Sequence, residues 1–287
     1  MRSSSSSQQF RTPNGTDIHF QSSANASGQL VILLHGLGGS TATFDSLIPR
    51  FPQTYRVVAV DIEGFGKSPL NQSVPLSFPR YVSDIHHLVT YLQGQLDHPS
   101  GPASGSAASS KILLVGHSLG GIISLHYAST YPSEVAGALI LAVGRSVRGI
   151  PAAQQRMRDL ATTARQQGMD AVGEIAIKSN FPADRESEES QKEQVRAAVA
   201  QCDAEAYALT SEVVASDDHF DPDYSTIVCP CIFVAGDGDL ISPVQRSKDV
   251  SGLVGGRSEV IVVKSGHQMI LQDLPGVERA LDKLLSI

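Results

Sequence analysis

At 287 residues with 41% hydrophobic composition, the chain is long enough for one large α/β domain carrying an insertion. Its net charge of −7 lacks the basic surplus that nucleic acid or an anionic membrane demands, so neither is an expected partner. No apolar run reaches the roughly 20 residues of a membrane-spanning helix, and the three cysteines, Cys202, Cys229 and Cys231, lack metal-site spacing and read as buried thiols of a reduced, intracellular protein.

The chain opens on Met1-Arg2 and five serines, without the apolar core of a secretory signal. Residues 1–10 read as a disordered tail, and the cytoplasm is favoured over the mitochondrion. Asp17-Ile18-His19-Phe20, after the turn-like Pro13-Asn14-Gly15, predicts an antiparallel edge strand. Leu30-Val31-Ile32-Leu33-Leu34 is a buried-strand run opening into His35-Gly36-Leu37-Gly38-Gly39. A helix is expected over 40–50, then a short strand, Val57-Val58-Ala59-Val60, closing on Asp61, then a clear helix over 80–96. Residues 98–110, rich in Pro, Gly, Ala and Ser, read as an exposed flexible loop.

Lys111-Ile112-Leu113-Leu114-Val115 runs straight into Gly116-His117-Ser118-Leu119-Gly120 and then into a helix over 118–131. A further strand covers 137–143, and beyond it the strand-helix alternation breaks. Residues 149–224 have apolar positions at helical spacing and predict a helical cap; 11–148 and 225–287 then form the core. The cap region is acidic, with fifteen Asp and Glu against seven Lys and Arg over 150–225. Strands at 231–235 and 259–263, each followed by a helix (243–250 and 275–285), complete six apolar runs alternating with helices. Such alternation defines an α/β fold whose mostly parallel sheet is flanked by helices on both faces.

The chemistry-bearing residues all fall just past strand ends. A strand, a G-x-S-x-G turn and a helix in that order form a nucleophile elbow, with glycines flanking Ser118 because the turn strains the backbone and brings helix and strand close. A serine hydroxyl needs a base, a group to orient it and donors for the oxyanion. Strand 231–235 ends in Gly236-Asp237-Gly238-Asp239, and strand 259–263 leads to Lys264-Ser265-Gly266-His267. Nucleophile, acid and histidine thus run in the order Ser118, Asp239, His267, with Asp237 the competing acid. The Leu37 and Leu119 N–H groups are assigned as the oxyanion hole.

These motifs, with Asp61-x-x-Gly64-Phe65-Gly66-Lys67-Ser68, resemble the α/β-hydrolase superfamily across nearly the whole chain. The stretch Cys202-Asp203-Ala204-Glu205-Ala206-Tyr207-Ala208, followed by an acidic segment and Ile227-Val228-Cys229-Pro230, is most similar to the 3-oxoadipate enol-lactonase branch. That resemblance implies the α/β-hydrolase fold and Ser118 as nucleophile, His267 as base and Asp239 as orienting acid. It also makes the D-x-x-G-F-G-K-S segment a structural turn beside the pocket. The implied activity is hydrolysis of a small ester or lactone through an acyl-enzyme, of enol-lactonase or carboxylesterase type, without cofactor or metal. The alternatives are a carbon–carbon bond hydrolase of ring-cleavage products with the same triad, and a slow-turnover ligand-binding or receptor protein. An enol-lactone carries a carboxylate, which an acidic cap opposes unless an arginine compensates; Arg145 and Arg148 are the candidates. His35 and His117 read as packing or loop-fixing groups, and no other histidine has partners at metal-ligand spacing.

Overall fold

The computed structural model describes residues 6–23, 25, 27–95, 111–183 and 188–286. Within them lie strands β1 (Ser6–Arg11), β2 (Asp17–Ser22), β3 (Gln29–Leu34), β4 (Tyr55–Val60), β5 (Ile112–His117), β6 (Val135–Leu141), β7 (Cys231–Gly236) and β8 (Ser258–Val263). They make one sheet in the order β1-β2-β4-β3-β5-β6-β7-β8. The β1–β2 and β2–β4 pairs are antiparallel and all others are parallel.

Helices α1 (Phe78–Gly94) and α2 (Leu119–Thr130) precede β6, and four more lie between β6 and β7. These are α3 (Pro151–Gln167), α4 (Met169–Asn180), α5 (Glu189–Ala200) and α6 (Ala204–Ala215). After β7 come α7 (Val244–Ser251), α8 (Met269–Gln272) and α9 (Leu274–Leu285). The sheet separates two apolar cores. Along β3, Leu30, Ile32 and Leu34 pack with Leu88 and Val89 of α1 and Ile123 of α2, while Val31 and Leu33 join Leu281 and Leu284 of α9. A period of two therefore sends alternate residues of one apolar run into opposite cores.

Helices α4 to α6 lie over the carboxyl ends of the central strands. A side chain at Gly38 would meet Val199 and Tyr207, and one at Gly64 would meet Ala206. The Tyr81 hydroxyl bonds Thr210 at 3.0 Å, fastening α6 to α1.

Two expectations change. Residues 6–10 are not a disordered tail: Ser6–Arg11 is strand β1, in register with β2 from Ser6↔Ser22 to Arg11↔Asp17, its Phe10 stacked on Tyr91 at 4.6 Å. Residues 1–5 of that tail and the loop at 98–110 lie outside the described residues. Over 40–50 there is no α-helix but two 3₁₀ turns, Thr41–Phe44 and Ile48–Arg50. Pro49 supplies no N–H to continue a helical ladder through that stretch.

Candidate active site

Ser118 occupies the turn between β5 and α2 with φ 51° and ψ −111°. Such left-handed backbone costs a non-glycine residue about 1–3 kcal/mol and survives only where its surroundings hold it. Here the Ser118 N–H donates to the Leu141 carbonyl at 2.9 Å and its own carbonyl accepts from Ile122 N–H at 3.0 Å. The flanking glycines are required by contact. A Cβ at Gly116 would lie 2.5 Å from the Gly120 carbonyl oxygen, and one at Gly120 would collide with the Leu34 carbonyl of β3.

At the end of β7, Asp239 directs its two carboxylate oxygens to different tasks. Oδ1 accepts the Ile241 and Ser242 N–H groups at 2.8 and 2.9 Å, and Oδ2 lies 2.8 Å from His267 Nδ1. Both side chains are buried. Burial alone would raise the Asp239 pKa, but His267 and the two backbone donors outweigh it and hold the carboxyl below its usual value. A carboxylate only accepts, so the neutral imidazole carries its hydrogen on Nδ1 and presents a lone pair at Nε2. Asp237, the competing acid, instead accepts the Ser265 N–H at 3.1 Å.

His117 ties the two halves of this arrangement together. Its Nε2 donates to the His267 carbonyl at 2.9 Å, and the two rings lie 5.1 Å apart. Burial, reinforced by the neighbouring His267, pushes the His117 pKa down to about 4, so the ring is neutral at ordinary pH. The residue preceding Ser118 thus fastens the β8–α8 loop above the turn.

The glycine-rich loop after β3 is fixed by His35. Its Nε2 accepts from Ile62 N–H at 3.0 Å, which puts the ring hydrogen on Nδ1, and that donates to the Gly36 carbonyl at 2.7 Å. Burial lowers the His35 pKa, favouring this neutral form. The same carbonyl also accepts the Gly39 N–H at 3.0 Å. In a planar trans peptide, a carbonyl held on one side turns the Leu37 N–H to the other. A Gly36 Cβ would be 3.2 Å from Ser118 Cβ, so this loop passes directly beside the serine. Leu119 begins α2, where the first N–H groups have no intrahelical acceptor. Backbone donors and a serine hydroxyl backed by an imidazole–carboxylate pair can together support acyl transfer.

Arg145 and Arg148 are not brought to this site. Arg145 is held by Asp221, with Nη2 at 2.5 Å and Nε at 3.0 Å from the same oxygen, and Arg148 lies over the Phe220 ring at 4.3 Å. Both line a surface cavity of about 580 Å³, together with Arg246 and Asp249, whose walls include none of Ser118, Asp239 and His267. Arg145 does follow a strand end; its partner, 76 residues further on, carries no local signal. Asn180 was likewise illegible. At the end of α4 its carbonyl accepts the His267 N–H at 3.0 Å, and its side-chain Oδ1 accepts from Gln268 at 2.6 Å.

A mostly parallel sheet with a strained serine at one strand end and an imidazole–carboxylate pair at two others defines a hydrolase-type α/β protein. Residues 31–280 match the family model described as "Alpha/beta hydrolase family", and the chain belongs to that family. A pimeloyl-[acyl-carrier protein] methyl ester esterase of Xanthomonas axonopodis pv. citri is 25% identical over 272 residues, covering 90% of this chain and 96% of the relative. A serine hydrolase-like protein of Danio rerio is 30% identical over 115 residues, 40% of this chain, and the match spans only 31% of that relative's length. Among solved structures, the enol-lactonase from Burkholderia xenovorans LB400 superposes with a TM-score of 0.81 at 18% identity, covering 98% of this chain and 100% of its own. A thermophilic esterase from Thermogutta terrifontis gives 0.82 at 20%, with 98% of each chain covered. The sequence relatives of this chain therefore include an esterase, and the structural likenesses establish the shared fold.

Proposed function

We propose that the chain is a serine hydrolase that cleaves an ester or lactone of a small molecule through an acyl-enzyme. The observation that carries this reading is the buried Asp239–His267 pair, 2.8 Å apart, fastened through His117 to the strained turn at Ser118. In the reaction, His267 Nε2 takes the Ser118 proton as Oγ attacks the carbonyl carbon. Asp239 holds the ring and stabilises its positive charge, while the Leu37 and Leu119 N–H groups receive the developing oxyanion. The protonated imidazole then gives its proton to the leaving oxygen. Water, deprotonated by the same ring, attacks the acyl-enzyme and releases the acid.

The neighbourhood favours an apolar acyl group. Val199 and Tyr207 close over Gly38 of the donor loop, and Phe65 packs against His35 and Tyr207. With Arg145 committed to Asp221, an uncharged ester or lactone suits the site better than a dicarboxylate. An esterase relative and a lactonase of the same fold support ester or lactone hydrolysis as the reaction class, not the charge of the substrate.

The test is intact mass after treatment with a small fluorophosphonate, on the wild type and on Ser118→Ala, followed by a screen of lactones, simple esters and vinylogous diketones. We expect an adduct at Ser118 in the wild type. Ester or lactone turnover should fall by about 10⁴-fold or more in the variant, because triad members act as a unit. Full activity in Ser118→Ala would overturn the mechanism. Preference for a vinylogous diketone would turn it to carbon–carbon cleavage.

A further inference from the structure

Asp61, just past β4, repeats the bonding pattern of Asp239 at a place the proposed mechanism does not use. Its Oδ1 accepts the Thr41 N–H at 2.6 Å; its Oδ2 accepts the Lys67 N–H at 2.9 Å and lies 2.7 Å from His19 Nδ1. Both side chains of the pair are 2% exposed. The histidine backbone is fixed as firmly as its ring. The His19 N–H donates to Ser68 Oγ at 2.8 Å, and its carbonyl accepts the Asp61 N–H at 3.0 Å. Facing a carboxylate, Nδ1 carries the hydrogen of the neutral ring, which leaves the Nε2 lone pair pointing the other way. There it meets a hydroxyl: Ser7 Oγ lies 2.8 Å from His19 Nε2.

The register of the β1–β2 ladder makes this contact. Gln9 stands opposite His19 and Ser7 opposite Gln21, so Ser7 and His19 are diagonal neighbours on one face, within reach of each other's side chains. Ser7 is exposed on the outermost strand of the sheet. A serine, an imidazole and a carboxylate are therefore linked in series, with the two inner members buried and the hydroxyl open to solvent.

We propose that Ser7 is a second activated hydroxyl, with His19 as general base and Asp61 as orienting acid, that takes acyl or phosphonyl groups from activated donors. With a fluorophosphonate, the Ser7 Oγ–P bond forms as the P–F bond breaks. Fluoride leaves with the bonding pair, and the hydroxyl proton passes to His19 Nε2 and on to solvent. With an activated ester, the Oγ–C bond forms, the C–O bond breaks, and the proton goes through His19 to the leaving oxygen. Ser7 sits within an extended ladder, whereas Leu119 opens a helix, so the relay lacks the helix-end donors that stabilise a tetrahedral oxyanion. The adduct is consequently the end product: Ser7 is a site of stoichiometric modification, not of turnover. It also lies outside the cap and admits bulky donors.

The experiment uses the full-length Ser118→Ala protein and a fluorophosphonate bearing a bulky tag, with the adduct located by peptide fragmentation. Ser6, the adjacent exposed serine, whose Oγ accepts from the Gln8 side chain at 2.7 Å, is the internal control. Labelling at Ser7 should outpace Ser6 by about 100-fold, the lower end of what a positioned general base contributes. It should vanish in Ser118→Ala/Ser7→Ala. Ser7→Ala alone should leave ester or lactone turnover unchanged. No adduct at Ser7, or equal labelling of Ser6 and Ser7, would overturn the proposal. The role of Ser118 is read separately, from a wild-type adduct located at Ser118 by the same fragmentation and from the loss of turnover in Ser118→Ala.

Discussion

Glu63 is buried beside Arg80 and Asp84, so two carboxylates share one guanidinium, at 2.6 and 3.9 Å. Burial raises the Glu63 pKa, and neither the Asn71 N–H nor Arg80 offsets it, so the carboxyl is pushed up to about 7 from an ordinary 4.5. A raised carboxyl pKa means that the folded state binds the proton more tightly than the unfolded state, so stability falls as pH rises from 4.5 through 7. The loss across that window is on the order of 3 kcal/mol. Urea titrations at pH 5 and pH 8 should show this decline in the wild type and a much flatter profile in Glu63→Gln. The opposite sign holds at Asp239, whose pKa is lowered: its contribution is present at neutral pH and is lost only as pH falls below the ordinary carboxyl value. Asp239→Asn should keep the fold, by circular dichroism, while the hydrolytic rate falls by about 10⁴-fold, because an amide in place of the carboxylate favours the wrong imidazole tautomer. Ser118, Asp239 and His267 stand out in the sequence because each lies within four residues of the end of an apolar run. Their support does not: Asn180 becomes a partner of His267 only through the folded chain, as Asp221 does of Arg145 away from this site.

Among the elements, the strands buried along their whole length were the most legible. Strands β3, β5 and β7, whose residues are almost all buried, carry unbroken apolar runs that leave little choice of structure. Strand β1 reads Ser-Ser-Gln-Gln-Phe-Arg and buries almost nothing, and its backbone pairing with β2 leaves no compositional trace. The failed helix over 40–50 has the complementary cause: Phe44 and Leu47 are fully buried at helical spacing, yet the ladder is broken into 3₁₀ turns. The elbow is the element where sequence and backbone constrain each other most tightly. A methyl group at Gly120 would enter the Leu34 carbonyl, so Gly120→Ala must push α2 away from β3. We expect a loss of about 3 kcal/mol or more of stability, measured by urea unfolding, the range reached when strain is forced on a packed site. An exposed pairing such as Arg165 with Glu205 and Glu212, between α3 and α6, should by contrast contribute under about 1 kcal/mol when removed.

For the molecule as a whole, the loss of strand-helix alternation signalled helices between β6 and β7, but it could not say where they would land. They land on the working loops. The end of α4 is bonded to the His267 loop through the Asn180 carbonyl and carboxamide, and α5 reaches the same region through Gln191, whose Nε2 donates to the Leu271 carbonyl at 2.8 Å. Position of the cap and orientation of the imidazole are therefore one mechanical variable. Asn180→Ala keeps the backbone acceptor for His267 but removes the Gln268 contact and the Asn180 bond to the Ala176 carbonyl at 2.7 Å, freeing the end of α4. A neutral hydrogen bond of this kind contributes about 1 kcal/mol to stability. A small misplacement of a catalytic group costs far more in rate, up to about 10²-fold per ångström. If the cap positions His267 as the geometry requires, Asn180→Ala should lower kcat by about tenfold with little change in the urea midpoint, and Gln268→Ala should do the same. A change in KM alone, with kcat intact, would show that the cap shapes only the substrate pocket and leaves the imidazole undisturbed.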